Sequence, residues 1–170
     1  MIQPVLHMGD ARLLRVAEPV TEFGTQALAS LVQDMRDTMA HLQGAGIAAP
    51  QLGVNLRVVI FGGQPSVRYP QAPTIPDTVL INPQLTPLVE ETEEGWEGCL
   101  SVPGLRGMVP RWTHLRYTGY TLEGECFERA VSGFHARVVQ HEVDHLEGIL
   151  YPRRIADLAR FGFIEALENP

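Results

Sequence analysis

The sequence predicts an α+β fold, with short antiparallel or mixed sheets packed around a C-terminal helix. Three observations carry that reading. An amphipathic helical pattern runs from Ala27 to Leu42, short apolar runs broken by Pro and Gly fill the middle, and a second helical pattern, SGFHARVVQHEVDHLEG, follows them. The order helix, strands, hairpin, helix is not the strict alternation of a doubly wound sheet. A length of 170 residues fits one domain over residues 1–170 and can bury a sizeable core.

Each element follows from its residues. Residues 9 to 16 suit a short helix or turn. In the first helix, Leu28, Leu31, Val32, Met35, Met39 and Leu42 recur at spacings of three and four, while Gln33, Asp34, Arg36 and Asp37 fill the other face. Gly44 should end it, and GAGIAAPQ (44–51) reads as a tight loop, with Pro50 disfavouring helix at Ala49. LRVVIF (56–61) reads as a buried strand, and residues 62–78 as a long surface loop rich in Gly and Pro. TVLINP and LTPLVE suggest two short strands broken by Pro83 and Pro87. Glu90, Glu91, Glu93, Glu94 and Glu97 crowd one stretch, which reads mostly as a solvated acidic loop. Residues 115–120 and 125–130 form a predicted hairpin, in which packing explains Tyr117 and Tyr120. Gly148 should stop the second helix, and IADLARFGFIEAL suits one more short helix.

Composition narrows the function. An apolar fraction of 45% and a charged fraction of 19% are those of a globular chain. A formal charge of -7 argues against stable nucleic-acid binding or an anionic membrane as the main partner. MIQPVLHMGD lacks the basic start and apolar run of a secretory signal, so the cytoplasm is the expected compartment. Two cysteines do not make a disulfide framework, and Cys126 is expected to be a small buried apolar residue.

The chemistry concentrates at QHEVDHLEG (140–148). On a helix, His141 and His145 lie one turn apart on one face, with Glu142 beside them. Phe134 and Val138 continue that stripe, so the pair lies on an apolar face, where a shared metal would satisfy both imidazoles. Arg137, Gln140 and Asp144 fall largely elsewhere on the helix. Cys99, in EGCLS, is the best third ligand; Glu147 and Glu165 are the alternatives. Two imidazoles and a thiolate suit zinc, iron, cobalt or nickel and leave a position for water. Glu142 is then a candidate base, and Asp144 either orients an imidazole or is solvated.

Three motifs, GAGIAAPQ, EGCLS and QHEVDHLEG, occur in this order along nearly the whole chain, up to about Tyr151. Together they resemble those of the peptide deformylases. The resemblance implies one divalent metal ion on Cys99, His141 and His145, with Fe2+ the physiological choice and Zn2+, Ni2+ or Co2+ as substitutes. It implies Glu142 as general acid/base, and Gln51 with the Leu100 N–H as donors to the developing oxyanion. Gly46 would meet the substrate through its backbone, Glu97 and Arg111 would support the metal loop, and Arg106 would stand at the substrate cleft. The block 62–78 is longer than in many bacterial members, which makes it a lid or an insertion.

The implied reaction is hydrolysis of the formyl group from the N-terminal formyl-methionine of newly made proteins, releasing formate. N-formyl-methionyl peptides or nascent chains are the expected partners, with transient proximity to the ribosome. Phe134 and Val138 are expected to line the pocket for the first side chain, Val138 more closely; Gly46, Glu97 and Arg106 complete the expected peptide-binding set. A general zinc peptidase and a noncatalytic metal site are the rival classes.

Overall fold

A computed structural model describes all residues from Met1 to Pro170. Helix α1 spans Gln26–His41. Thr25 caps it, its hydroxyl accepting the Leu28 N–H at 3.2 Å, which satisfies one of the free donors of the first turn. Its apolar stripe buries Leu28, Val32, Met35 and Met39. Residues 9 to 16 contain a single 3-10 turn, Ala11–Leu14.

The strands are β1 (Gly46–Ala48), β2 (Val58–Phe61), β3 (Thr78–Pro87), β4 (Thr92–Cys99), β5 (Val102–Trp112), β6 (His114–Tyr120), β7 (Cys126–Ser132) and β8 (Phe161–Phe163). Helix α2 spans Gly133–Leu146, between β7 and β8. One sheet has the order β1-β2-β3-β6-β7 and the other β4-β5-β8. Every pairing within them is antiparallel.

Strand β2 explains the architecture. Val58 and Ile60 pack with the apolar stripe of α1, whereas Val59 and Phe61 pack with Val138, Val139 and Leu146 of α2. Successive side chains point to opposite faces, so a strand covered on both sides must be apolar throughout. All four residues are fully buried. Burying each such side chain stabilises the fold by roughly 1.5–3 kcal/mol. The helix carrying the histidines is thus held between the larger sheet and β5, the central position expected for it.

Several sequence expectations are corrected. GAGIAAPQ is not a loop: Gly46–Ala48 pair with β2, and Ala49–Leu52 form a 3-10 turn. Pro83 does not break a strand. It sits in an irregularity of β3 between Ile81 and Gln84, where Asn82 adopts φ 50° and its side chain exchanges two 2.9 Å hydrogen bonds with the Val20 backbone. Most of the acidic stretch is strand β4, and Glu97 within it is buried. The tail contributes β8 and two short 3-10 turns instead of a helix. Cys126 is exposed. Gly148 ends α2 as expected, at φ +68° and pressed against the Leu14 backbone, where a side chain would collide.

Candidate metal centre

Cys99 closes β4, and His141 and His145 project from consecutive turns of α2. The distant elements meet because β5 lies against α2. Gln140 ties the two together, its amide oxygen accepting the Trp112 N–H and its amide nitrogen donating to the Trp112 carbonyl, both at 3.0 Å. One ligand atom from each of Cys99, His141 and His145 lies within 4.8 Å of the others. Cys99 Sγ stands 3.4 Å from His145 Nε2.

The residues fit a divalent ion. One thiolate and two imidazoles form a donor set suited to zinc- or iron-like ions. His141 gives Nδ1 to Glu97 at 2.8 Å, which leaves Nε2 as its free donor. Glu142 Oε2 is buried beside this cluster without a protein partner, as an oxygen reserved for something the protein does not supply would be.

Glu97 and Glu142 are both buried, and their surroundings divide them. Glu97 accepts hydrogen bonds from Arg111 Nε and Nη2, both at 2.9 Å, and from Arg137 Nη1 and His141 Nδ1, both at 2.8 Å. Burial opposes its charge, but Arg111 and His141 outweigh burial and hold the carboxyl well below the usual carboxylate range. Glu97 lines the cleft, and with four donors on its oxygens it orients His141, the support expected of it beside Arg111. Glu142 has no such donors, and burial pushes its carboxyl up to about 7 against the pull of His141 and Arg111.

Gln51 is buried in the 3-10 turn that follows β1. Its amide oxygen accepts the Ala48 N–H at 2.9 Å. Its amide nitrogen donates to Ser101 Oγ at 3.0 Å and approaches Cys99 Sγ at 3.6 Å, so its N–H groups face the metal ligands. The N-terminal segment clips both turns in place, with Leu6 N donating to Gln51 O in the 3-10 turn and Met8 N to Ser101 O between β4 and β5, each at 2.8 Å. Gly46 is required where it stands, because a Cβ there would fall 2.5 Å from Glu142 Oε1.

These groups open into a cleft of about 460 Å³, part of it open solvent. Gly46, Gln51, Cys99, Leu100, His141 and Glu142 form its inner wall. Phe134 and Val138 line it as the stripe on α2 implied. Arg106 stands at the rim, not in the wall: it donates to Arg68 O at 3.0 Å and lies 5.1 Å above the Tyr69 ring. Asp144 neither orients an imidazole nor stands in solvent. It is buried and accepts from Arg111 Nη1 at 2.6 Å and from Arg154 Nη2 at 2.8 Å.

Sequence reasoning missed three cleft residues. Arg137 lines the cleft and binds Glu97, the Val109 carbonyl and the Glu93 carbonyl. Gly95 was its faint signal, since a Cβ there would lie 2.8 Å from the Arg137 guanidinium carbon. Arg68 and Tyr69, from the supposed surface loop, also line the cleft. Nothing local in the sequence could place them there.

A hydrolase that works through a divalent ion is the class these parts define. Its relatives narrow that class. The sequence profile described as Polypeptide deformylase matches residues 2–161. The chain is 63% identical to Peptide deformylase 2 of Ralstonia nicotianae over 167 residues, covering 98% of this chain and 94% of that one. It is 56% identical to Peptide deformylase 2 of Pseudomonas putida, covering 98% of this chain and 95% of that one. Among solved structures, a class I type b peptide deformylase from Acinetobacter baumannii superposes with a TM-score of 0.88 at 42% identity, covering 92% of this chain and 99% of that chain. The peptide deformylase from Thermotoga maritima gives 0.82 at 33% identity, covering 92% and 99%. The chain belongs to the polypeptide deformylase family. It is a metallohydrolase that removes the N-formyl group from initiator methionine, and Cys99, His141 and His145 are its metal-binding triad.

Proposed function

We propose that Glu142 is the proton carrier of this reaction, and that Gln51 and the backbone N–H of Leu100 hold the oxyanion. The observation that carries the reading is the position of Glu142. It is buried next to the ligand triad, with a carboxyl raised to about 7 and one oxygen without a protein partner. A carboxyl with that affinity for protons accepts one and returns it near neutral pH. The bound divalent ion supplies a more acidic water and an electrophile for the formyl oxygen.

The remaining steps belong to the chain. Glu142 takes the proton as water attacks the formyl carbon. Gln51 Nε2 and the Leu100 N–H donate to the carbonyl oxygen as its charge grows, and fixed donors of this kind cost no reorganisation when the charge appears. Glu142 then delivers the proton to the departing nitrogen, giving formate and a free peptide N-terminus.

Peptide binding follows from the sheet. Strand β1 is an edge of the five-stranded sheet, with only β2 beside it. Its Gly46 lines the cleft, so an extended peptide can pair with that edge through backbone bonds that tolerate varied sequences. Val138 and Phe134 bound the pocket for the methionine side chain, and Arg106 meets the peptide at the rim. An Acinetobacter baumannii deformylase solved with Met-Ala-Ser bound supports a peptide beginning with methionine as the ligand here.

Fe2+ is the physiological ion in this reading, with Zn2+, Ni2+ or Co2+ able to replace it, because the sulfur and imidazole set accepts all four. Residues 1–170 act as one catalytic unit, in the cytoplasm and transiently near the ribosome, without stable nucleic-acid or membrane binding. The net charge of -7 supports the last point. No helix is long and apolar enough to cross a membrane.

The test is a matched assay on anaerobically prepared protein of measured metal content. Formyl-Met-Ala-Ser should release formate in proportion to bound metal, while unblocked Met-Ala-Ser stays intact. Cleavage of the unblocked peptide would point to a general peptidase, and no turnover of either to a noncatalytic site.

A further inference from the structure

Arg68 is an arginine with nothing of the protein to bind. The chain has no lysine, and its thirteen permanently charged basic side chains are all arginines. Eleven give the guanidinium a hydrogen bond or an ion pair. Only Arg15 and Arg68 do not. Arg15 is exposed, where water serves it, whereas Arg68 is half-buried in the wall of the cleft.

The segment that carries Arg68 is fastened to the active site. The Arg68 carbonyl accepts from Arg106 at 3.0 Å. The Tyr69 hydroxyl accepts the Gly98 N–H at 3.0 Å, one residue from Cys99. The Tyr69 ring packs against Phe134 at 5.1 Å, with the Arg106 guanidinium 5.1 Å from its centre. Arg68 is therefore held at the cleft mouth instead of swinging with a loose loop.

The charge at this mouth is positive and uncompensated. Neither Arg68 nor Arg106 has a carboxylate within ion-pair distance, although the chain as a whole is -7. Of the acids in the cleft, Glu97 is engaged by Arg111, Arg137 and His141, and Glu142 faces the metal centre. The Arg68 guanidinium lines the cleft without a protein acceptor, and a carboxylate is the acceptor its planar fork fits best.

We propose that Arg68 is a specificity determinant that favours formyl-methionyl peptides with Asp or Glu at the first or second residue after methionine. The proposal rests on the deformylase reading of the cleft. It extends that reading from the first side chain to those that follow, which must pass the mouth as the peptide leaves the β1 edge.

The experiment compares formyl-Met-X-Ser and formyl-Met-Ala-X, with X as Asp, Ala or Lys, and reads kcat/KM from formate release at low ionic strength. The quantity of interest is the Asp-to-Lys ratio within each protein, which cancels any loss of active fraction. The wild type should prefer Asp at least about fivefold in one series, and added salt should compress the preference as it screens the charge. Arg68→Gln should bring the ratio to about one, and Arg68→Glu should invert it. An unchanged ratio in both variants, or no preference for Asp in either wild-type series, overturns the proposal while leaving deformylation intact. A wild type that releases formate from none of the peptides defeats the deformylase reading and the proposal with it.

Discussion

Glu97 and Glu142 are the same residue type, both buried, both within one contact of the ligand triad, and they are put to opposite uses. Around Glu97 the protein gathers two guanidiniums and an imidazole N–H, and the carboxylate becomes a fixed anion that orients His141. Around Glu142 it offers burial and no donor to Oε2, and the carboxyl is raised to about 7. Burial acts on both with the same sign. The presence or absence of positive donors decides which becomes structure and which carries protons.

The largest expected effect breaks the comparison on the Glu142 side. Glu142→Gln keeps the shape and removes the proton carrier, so kcat should fall about 10²–10⁴-fold, measured as formate release. Metal content of the same preparation should stay near the wild-type level, because Glu142 is not a ligand. Preserved turnover would transfer the proton role to another group.

The Glu97 side should respond in stability. Glu97→Gln leaves the buried Arg111 with a weakened partner, and breaking a buried pair costs about 3–5 kcal/mol. Urea denaturation of metal-free protein at pH 7 measures it. The pH dependence has a definite sign. The Glu97 carboxyl is depressed from 4.5 in the folded state, so its contribution is complete above that value and is lost as pH falls through the folded pKa. The wild-type stability should therefore decline more steeply in acid than that of the variant. Parallel acid declines would remove Glu97 as the anchor.

A smaller effect tests the cleft beyond the two carboxylates. Val138 is buried and lines the wall one turn before Glu142. Val138→Phe should shrink the first-residue pocket and lower the preference for formyl-Met over formyl-Ala peptides about tenfold. Unchanged selectivity would move the pocket away from Val138.

The sequence exposed those features whose signal is local and periodic. The stripe of α1, the one-turn spacing of His141 and His145, and the apolar run of β2 each repeat within a few residues, so burial on a known face leaves a legible pattern. Other features depend on distant partners. Gly46–Ala48 is a strand because β2 lies beside it, and three residues are too few to show an alternation. Phe161–Phe163 pairs with Leu105, Arg106 and Gly107, and no periodicity in the tail foretells that. Pro83 is tolerated because Asn82 turns the chain and clasps Val20, sixty-two residues away. The metal triad was readable from residue types together with the family resemblance. Arg137 was not, because its role depends on room that Gly95 leaves open on β4, a strand distant in sequence from α2.

The central claim is that Cys99, His141 and His145 converge on one ion. X-ray absorption at the metal edge of anaerobically purified protein tests it most directly. One sulfur and two imidazole nitrogens around a single metal, with the sulfur lost in Cys99→Ser, is the predicted result. A first coordination sphere of oxygen and nitrogen only, in protein that still releases formate, would contradict it.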